Sequence, residues 1–403
     1  MLTRIFGTDN IEMAEDVVQD SLIEALSEWN EKGAPDNPTA WLFRVAKNRA
    51  LNIINREKYK QEYSTEVAHF LQSDWTAEPA LNHLFSEEQI EDDQLRMIFT
   101  CCHPAISRDS QIALALKTLC GFSIPEIASA FLTTEENINK RLVRARQKIR
   151  EDKIPFAVPD GKELEKRQAA VLETIYLLFN EGYSASKGND LIRYPLCEEA
   201  IRLAQMLGND KAIQHKGNVS ALLSLMFLNA SRFAARQDGE GNLLTMVEQD
   251  RSLWDKQMQG TGLAYLQRAT ENSDISIYHI LATISANYCI APDYESTNWK
   301  NILSLYDSLI QLDSSPIVLL NRAVSVSKVH GAESALEELE RIKDNPSVKS
   351  YHLFYSTQAE FFNQLNDTDN AIRSLERAIL LAPLPGEKQL LEKKKQFLEK
   401  NLK

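Results

Sequence analysis

Ser123 to Arg150 reads SIPEIASAFLTTEENINKRLVRARQKIR, a spacing that predicts a helix, a tight turn and a second, strongly basic helix. Ser123 with Glu126 and Thr133 with Glu136 each have the S/T-x-x-E spacing of a capping box, in which hydroxyl and carboxylate satisfy backbone N–H groups at a helix start. Pro125 falls in the first turn of the first helix, where its missing N–H costs little. In the second helix Ile138, Leu142, Ala145 and Ile149 recur at three- and four-residue steps and form one buried stripe. Asn137, Arg141, Arg144 and Lys148 form a neighbouring stripe that faces outward. Guanidinium groups and an amide on one helix face suit phosphates and base edges in a DNA major groove. The same pattern also fits a solvated basic helix in an α-domain.

Composition narrows the function classes. Lys and Arg number 45 against 57 Asp and Glu in 403 residues, a net charge of -12. Any DNA contact must therefore come from local basic patches, while the acidic remainder opposes non-specific binding. No apolar run approaches the ~20 residues of a membrane helix, and Met1 to Asn10 lacks the apolar stretch of a secretory signal. No membrane partner is expected. Five cysteines, an odd number without secretory features, predict a reducing, cytoplasmic location. Glycine and proline are scarce and strand-like alternation is rare, so the fold class is all-α.

Asp9 to Trp29 reads as an amphipathic helix, with Ile11, Ala14, Val18, Leu22, Ala25 and Trp29 on its buried side. Glu12, Asp16, Gln19, Asp20 and Glu24 take the other face, as solvated surface or as a docking surface for a basic partner. After the loop EKGAPDNP, Asn37 and Pro38 make an N-cap and first-turn pair for the helix TAWLFRVAKNRALNIINREKYK. Leu42, Val45, Ala46, Ala50 and Ile53 face its core. Arg44, Asn48, Asn52, Asn55 and Tyr59 line the opposite stripe, with Lys47, Arg56, Lys58 and Lys60 alongside. Cations track a phosphate backbone, amides read base edges, and rings such as Trp41 and Tyr59 stack on unpaired bases.

Residues 61–93 are polar and acidic and read as a linker, and a second small helical domain covers 94–153. Within it, Cys101, Cys102 and His103 lack zinc-ligand spacing and read as packed thiols beside a turn, so no metal or other cofactor is expected. IPFAVPDG, 154–161, marks a boundary. From 162 to 403 the chain is helical again. There Ala335-Leu336-Glu337-Glu338-Leu339-Glu340-Arg341 aligns with Ala371-Ile372-Arg373-Ser374-Leu375-Glu376-Arg377, a period of about 36 and close to the tetratricopeptide length. Tyr355, Ala359, Phe362, Ala371, Leu375, Ala378 and Pro383 fit that motif, and a weaker unit includes Leu305 and Tyr306. No phosphate-cradling glycine loop, GxSxG elbow or HExxH pair occurs, so the chain reads as a binding protein and not an enzyme.

AEDVVQDSLIEAL followed by TAWLFRVAKNRALNIINREK resembles region 2 of bacterial sigma-70-family factors of the extracytoplasmic-function (ECF) type. LRMIFTCCHPAISRDSQIALALKTLCGFSIPEIASAFLTTEENINKRLVRARQKIR resembles region 4. FTCCHP, AFL, LCEEAIRLAQML and QDRSLWD match a subgroup with a C-terminal tetratricopeptide-like extension. The resemblance implies a promoter-specificity subunit with region 2 at 1–60, region 4 at 94–153 and the extension at 162–403. Its partners would be core RNA polymerase, through the β′ clamp and β flap, and promoter DNA, with a regulatory protein on the repeats. Asp16, Gln19 and Asp20 would meet the β′ clamp. Trp41, Arg44, Lys47, Asn48, Asn52, Asn55 and Arg56 would lie along the melted −10 strand. Asn137, Lys140, Arg141, Arg144 and Lys148 would serve the −35 major groove, and the acidic linker would thread the polymerase channel. Against the family pattern, a helix is missing at the start of region 2, and Asn52 stands where aspartate is usual. The competing readings are a stand-alone helix-turn-helix regulator with a repeat sensor domain, and a repeat scaffold whose basic helices bind RNA or an acidic protein.

Overall fold

The computed structural model describes residues 2–401 apart from 58–86, 132, 160, 185–191, 211–212, 214–215, 240–242 and 272–274. The described residues are helices and turns, with a single isolated antiparallel bridge between Gln237 and Leu243. The chain divides into two compact units, Met1–Thr174 and Ile175–Lys403.

The first unit opens with α1 (Leu2–Phe6), α2 (Ile11–Lys32) and α3 (Pro38–Glu57). Gly33, at φ 82°, ends α2 and donates its N–H to the Trp29 carbonyl at 2.9 Å. The Asn37 side chain then accepts from the Ala40 N–H at 3.0 Å, the cap expected before Pro38. Leu2 and Phe6 close a small core against Ala14, Val17, Ala46 and Ala50. The buried stripe of α2 is Ile11, Ala14, Val17, Ser21 and Ala25. This corrects the sequence reading by one position, since Val18 and Leu22 are each 46% exposed. Val17 and Ser21 lie on the helix face shared with Ala14 and Ala25, where small side chains let α3 approach closely, and the neighbouring apolar residues stay outside.

Helices α4 (Glu87–Cys101), α5 (Arg108–Thr118), α6 (Ile124–Ala130) and α7 (Glu135–Glu151) follow. Every residue from Ser110 to Leu116 is buried, so α5 is the centre on which the others pack. Two boundaries differ from the sequence reading. The acidic run 87–93 begins α4 and does not belong to a linker, because Asp93 is buried in an ion pair with Arg4 of α1 at 2.8 Å. The remainder of that expected linker, 61–86, lies outside the described residues. The second boundary, read at 154–161, falls later. Helix α8 (Gly161–Tyr183) gives its first half to the first unit, where Arg108 donates to Glu173 at 2.6 Å and the buried Arg167 guanidinium reaches the Phe99 carbonyl at 3.5 Å.

The second unit continues through α9 (Tyr194–Asn209), α10 (Lys216–Ala230), α11 (Lys256–Thr270), α12 (Ile277–Ile290) and α13 (Trp299–Leu309). It ends with α14 (Pro316–His330), α15 (Ala332–Ile342), the single turn α16 (Pro346–Lys349), α17 (His352–Gln364), α18 (Thr368–Leu381) and α19 (Pro385–Asn401). The repeat is structural: Pro316 to His352 and Ala332 to Thr368 are both steps of 36, so α14–α15 and α17–α18 are the same two-helix unit. Ala335 and Ala371 are fully buried at equivalent positions, and Ala359, Leu375 and Ala378 are buried with Tyr355 and Phe362 packed against them. The QDRSLWD segment is a brace. Arg251 lies over the Trp254 ring at 4.7 Å and donates to the Tyr288 and Ala291 carbonyls, both at 2.6 Å, at the end of α12. Asp255 caps α11 by accepting from the Met258 N–H at 2.9 Å.

The crossing of α10 and α11 depends on Gly262. A Cβ there would sit 2.7 Å from Leu228 Cγ and 3.2 Å from the Leu228 backbone nitrogen, and Leu228 has no exposed surface into which to move. Gly262→Ala should therefore destabilise the second unit by about 1–3 kcal/mol, read as a fall in Tm of roughly 2–4 °C per kcal/mol. An unchanged melting curve would mean that the helices separate there at no cost.

Candidate nucleic-acid interface

Helices α6 and α7 form the expected helix-turn-helix. Glu126 accepts from the Ser123 N–H at 2.8 Å while its own N–H donates to the Ser123 hydroxyl at 3.4 Å, so the first capping box is reciprocal. The second cap is shifted by one residue. Thr134 is the N-cap and accepts from the Asn137 N–H at 3.3 Å, while Thr133 accepts from the Asn137 side-chain amide at 3.2 Å. Ile138, Leu142, Ala145 and Ile149 are the buried stripe of α7, as read.

That stripe turns Asn137, Lys140 and Arg144 to solvent. Arg141 and Lys148 are half-buried: Arg141 pairs with Asp109 at 2.8 Å and lies over the Phe131 ring at 5.2 Å, and Lys148 pairs with Asp152 at 2.9 Å. Lys140 is held by Glu136 one turn earlier at 2.7 Å. Arg141, Arg144 and Lys148 line a groove of about 510 Å³ whose other wall is Ser107 to Ser110 at the start of α5. Backbone N–H groups at a helix start, flanked by guanidinium groups, form a surface suited to phosphate. Arg108 on this wall is 70% exposed and was missed in the sequence, where it stands outside any basic stripe. Val143 was missed too; it is exposed beside Lys140 and Arg144.

On α3, Arg44, Asn48 and Asn52 are exposed and Lys47 is half-buried. Ala46 and Ala50 are buried beneath them, with Leu42, Val45 and Ile53 half-buried. Trp41 is half-buried, its ring edge-on to Trp29 with centroids 5.5 Å apart, which leaves part of one indole for another ring to stack upon. The side chains of Asn55 and Arg56, and Tyr59 entirely, lie outside the described residues. Arg49 belongs to the scaffold. It donates to Glu24 at 2.6 Å and to Asp20 at 3.1 Å, fixing α3 against α2.

Asp16, Gln19 and Asp20 are exposed on α2, with Asp20 sharing Arg49. They flank Val18, Leu22, Ile23 and Leu26, all exposed, with Ile23 and Leu26 above 60%. An apolar ridge rimmed by carboxylates is the form of a protein-docking face. Cys101 and Cys102 are fully buried. Burial pushes the Cys102 thiol up to about 12 and raises Cys101 as well, so both hold their protons at neutral pH. Burial also lowers His103, whose ring nitrogen accepts from the Ala105 N–H at 3.2 Å.

Family comparisons fall on these same segments. Residues 2–59 match sigma-70 region 2, residues 96–149 match sigma-70 region 4, and residues 167–270 match a family of unknown function (DUF6596). An uncharacterized protein of Rhizobium meliloti (strain 1021) is 35% identical over 93% of this chain and 87% of its own length. The ECF RNA polymerase sigma-E factor of Salmonella typhimurium is 27% identical over 33% of this chain and 70% of its own length. No solved structure matches the chain. With a capped helix-turn-helix on residues that match region 4 and a cation-and-amide helix on residues that match region 2, the chain belongs to the sigma-70 family, in its extracytoplasmic-function branch.

Proposed function

We propose that the protein is a promoter-specificity subunit that binds core RNA polymerase and directs initiation through two DNA-reading helices. The observation that carries this reading is the coexistence, in one unit, of two chemically different faces. Helix α7 offers guanidinium and amide groups at a capped N-terminus, the form that reads duplex DNA in a major groove. Helix α3 offers amides, cations and an indole, the form that holds unpaired bases. A regulator that only binds duplex has no use for the second face. On this reading Asn137, Lys140, Arg141, Arg144 and Lys148 serve the −35 element, and Trp41, Arg44, Lys47, Asn48, Asn52, Asn55 and Arg56 hold the −10 strand. Asp16, Gln19 and Asp20, with the apolar ridge beside them, dock on the polymerase clamp. The tetratricopeptide-like extension would regulate that activity through protein contact.

Run-off transcription with purified core polymerase, this protein and no other sigma factor tests the proposal. A discrete transcript is expected. Promoter binding without any transcript would favour the stand-alone regulator instead.

The −10 assignment has its own test. Asn48→Ala should lower open-complex formation without weakening core binding, and adding Trp41→Ala should deepen the loss. Stacking on unpaired bases is worth about 1–3 kcal/mol per base, so the double variant should lose one to two orders of magnitude. Because Trp41 also packs on Trp29, a thermal melt accompanies the assay. Undiminished thymine reactivity to permanganate near the start site would remove α3 from the melted strand.

A further inference from the structure

The second unit holds a cluster of arginines whose hydrogen-bond partners are all neutral. Arg232 and Arg236 flank the short 3-10 turn Phe233–Ala235 that follows α10, and each is only 8% exposed. Arg232 and Arg251 share one indole, with guanidinium carbons 5.2 and 4.7 Å from the centre of the buried Trp254 ring. Arg236 lies 3.7 Å over the Tyr183 ring at the end of α8. Arg232 donates to the Gln249 side-chain oxygen at 3.1 and 3.2 Å, Arg236 to the Tyr183 carbonyl, and Arg251 to the Tyr288 and Ala291 carbonyls. The second terminal nitrogen of Arg251, Nη2, is buried with no hydrogen-bond partner among the described residues.

The neighbouring carboxylates are committed to backbone caps. Asp250 accepts from the Ser252 N–H at 2.8 Å, Asp255 from Met258 at 2.9 Å, Glu248 from Thr245 at 2.8 Å and Asp293 from Ser296 at 2.7 Å. The buried Glu181 lies 3.8 Å from a different arginine, Arg193. Among the described residues, no carboxylate is in ion-pair contact with Arg232, Arg236 or Arg251. Burial lowers the pKa of Arg236 and of Arg251, and the charge of Arg232 lowers both further. Buried charges are kept in proteins where they are paired, and guanidinium forks match the oxygens of carboxylate and phosphate. We propose that this cluster binds a small, multiply charged oxyanion through Arg232, Arg236 and Arg251, tying together the ends of α8, α10 and α12. Burial of two of the three arginines favours a small ion over a peptide or a nucleic acid. All three lie within 167–270, the match to the family of unknown function, and the proposal does not depend on the sigma-factor reading.

Calorimetry and hydrogen–deuterium exchange on the full chain test it, with inorganic phosphate and citrate as separate probes in chloride buffer of matched ionic strength. At least one probe should bind saturably and slow exchange in 231–238 and 249–256. Tighter binding of phosphate would point to a phosphorylated ligand, and of citrate to a polycarboxylate. Arg232→Gln should weaken that binding at least roughly tenfold. Arg251→Lys keeps the charge but loses the fork, and should weaken it by less. Each variant serves if the other fails to fold, and exchange in the wild type needs neither. Equal stabilisation of wild type and variants would reflect exclusion of these ions from the protein surface and would overturn the site. So would the lack of saturable binding by either probe, or protection confined to α5–α7, where phosphate suits the DNA-reading face.

Discussion

Arg144→Ala is expected to weaken binding to a cognate promoter by about 1–3 kcal/mol, roughly 5- to 150-fold, if that side chain makes a bidentate base contact. Arg144 is exposed and takes no part in the α7 core, so the folded state should not register its loss. Arg141→Ala is a different experiment. Its guanidinium pairs with Asp109 and covers Phe131, so removal costs helix-turn-helix packing as well as DNA affinity. The double variant should therefore bind at least as poorly as Arg144→Ala and melt lower than it. Salt titration separates the two modes of contact. A lost phosphate contact flattens the dependence of log affinity on log salt by about one unit of slope, whereas a lost base contact leaves the slope intact and relaxes sequence preference. Unchanged affinity and specificity in a folded Arg144→Ala protein would take α7 out of the −35 groove.

The helix-turn-helix was legible because each part of its signal is local. Ser123 and Glu126 satisfy each other across three residues, and Ile138 to Ile149 repeat with the helix period, so no distant contact is needed to place them. The errors have the opposite origin. Helix α2 carries apolar residues on more than one face, and only packing on α3 selects Val17 and Ser21 over Val18 and Leu22. The 87–93 run looks solvated until Arg4, far away in sequence, neutralises Asp93. The segment 154–161 lies between the region 4 match and the next family match, and its two prolines and glycine do end a helix, but Glu173 and Arg167 beyond it return to Arg108 and Phe99, so the contacts of the first unit continue to Thr174. Periodicity therefore located α3 and the helix-turn-helix, while long-range ion pairs tie together segments that the sequence alone would separate.

That displaced boundary shapes the last expectation, which concerns the second unit. A chain ending at Asp160 would strip Arg167 and Glu173 from the region 4 side, and any loss of activity would then confound folding with regulation. A chain ending at Thr174 keeps both contacts and should bind core polymerase within a few-fold of full length, because α2, α3 and α7 remain intact. Its transcription in cells should nevertheless fall clearly below that of full length. The helix pairs α14–α15 and α17–α18 bury small residues between them, an architecture that presents extended surfaces suited to peptides or helices. Helix α15 is rich in glutamate, including Glu333, Glu337, Glu338 and Glu340, and that charge disfavours promoter DNA as its ligand. A regulatory role through protein contact is the proposal that this experiment tests. Promoter-reporter output, compared at matched protein levels for the Thr174-ended and full-length chains, measures it. A rise in output would make the extension an inhibitor and reverse the expected sign. Identical output from the two chains would show that the helical repeats do not act on initiation at that promoter.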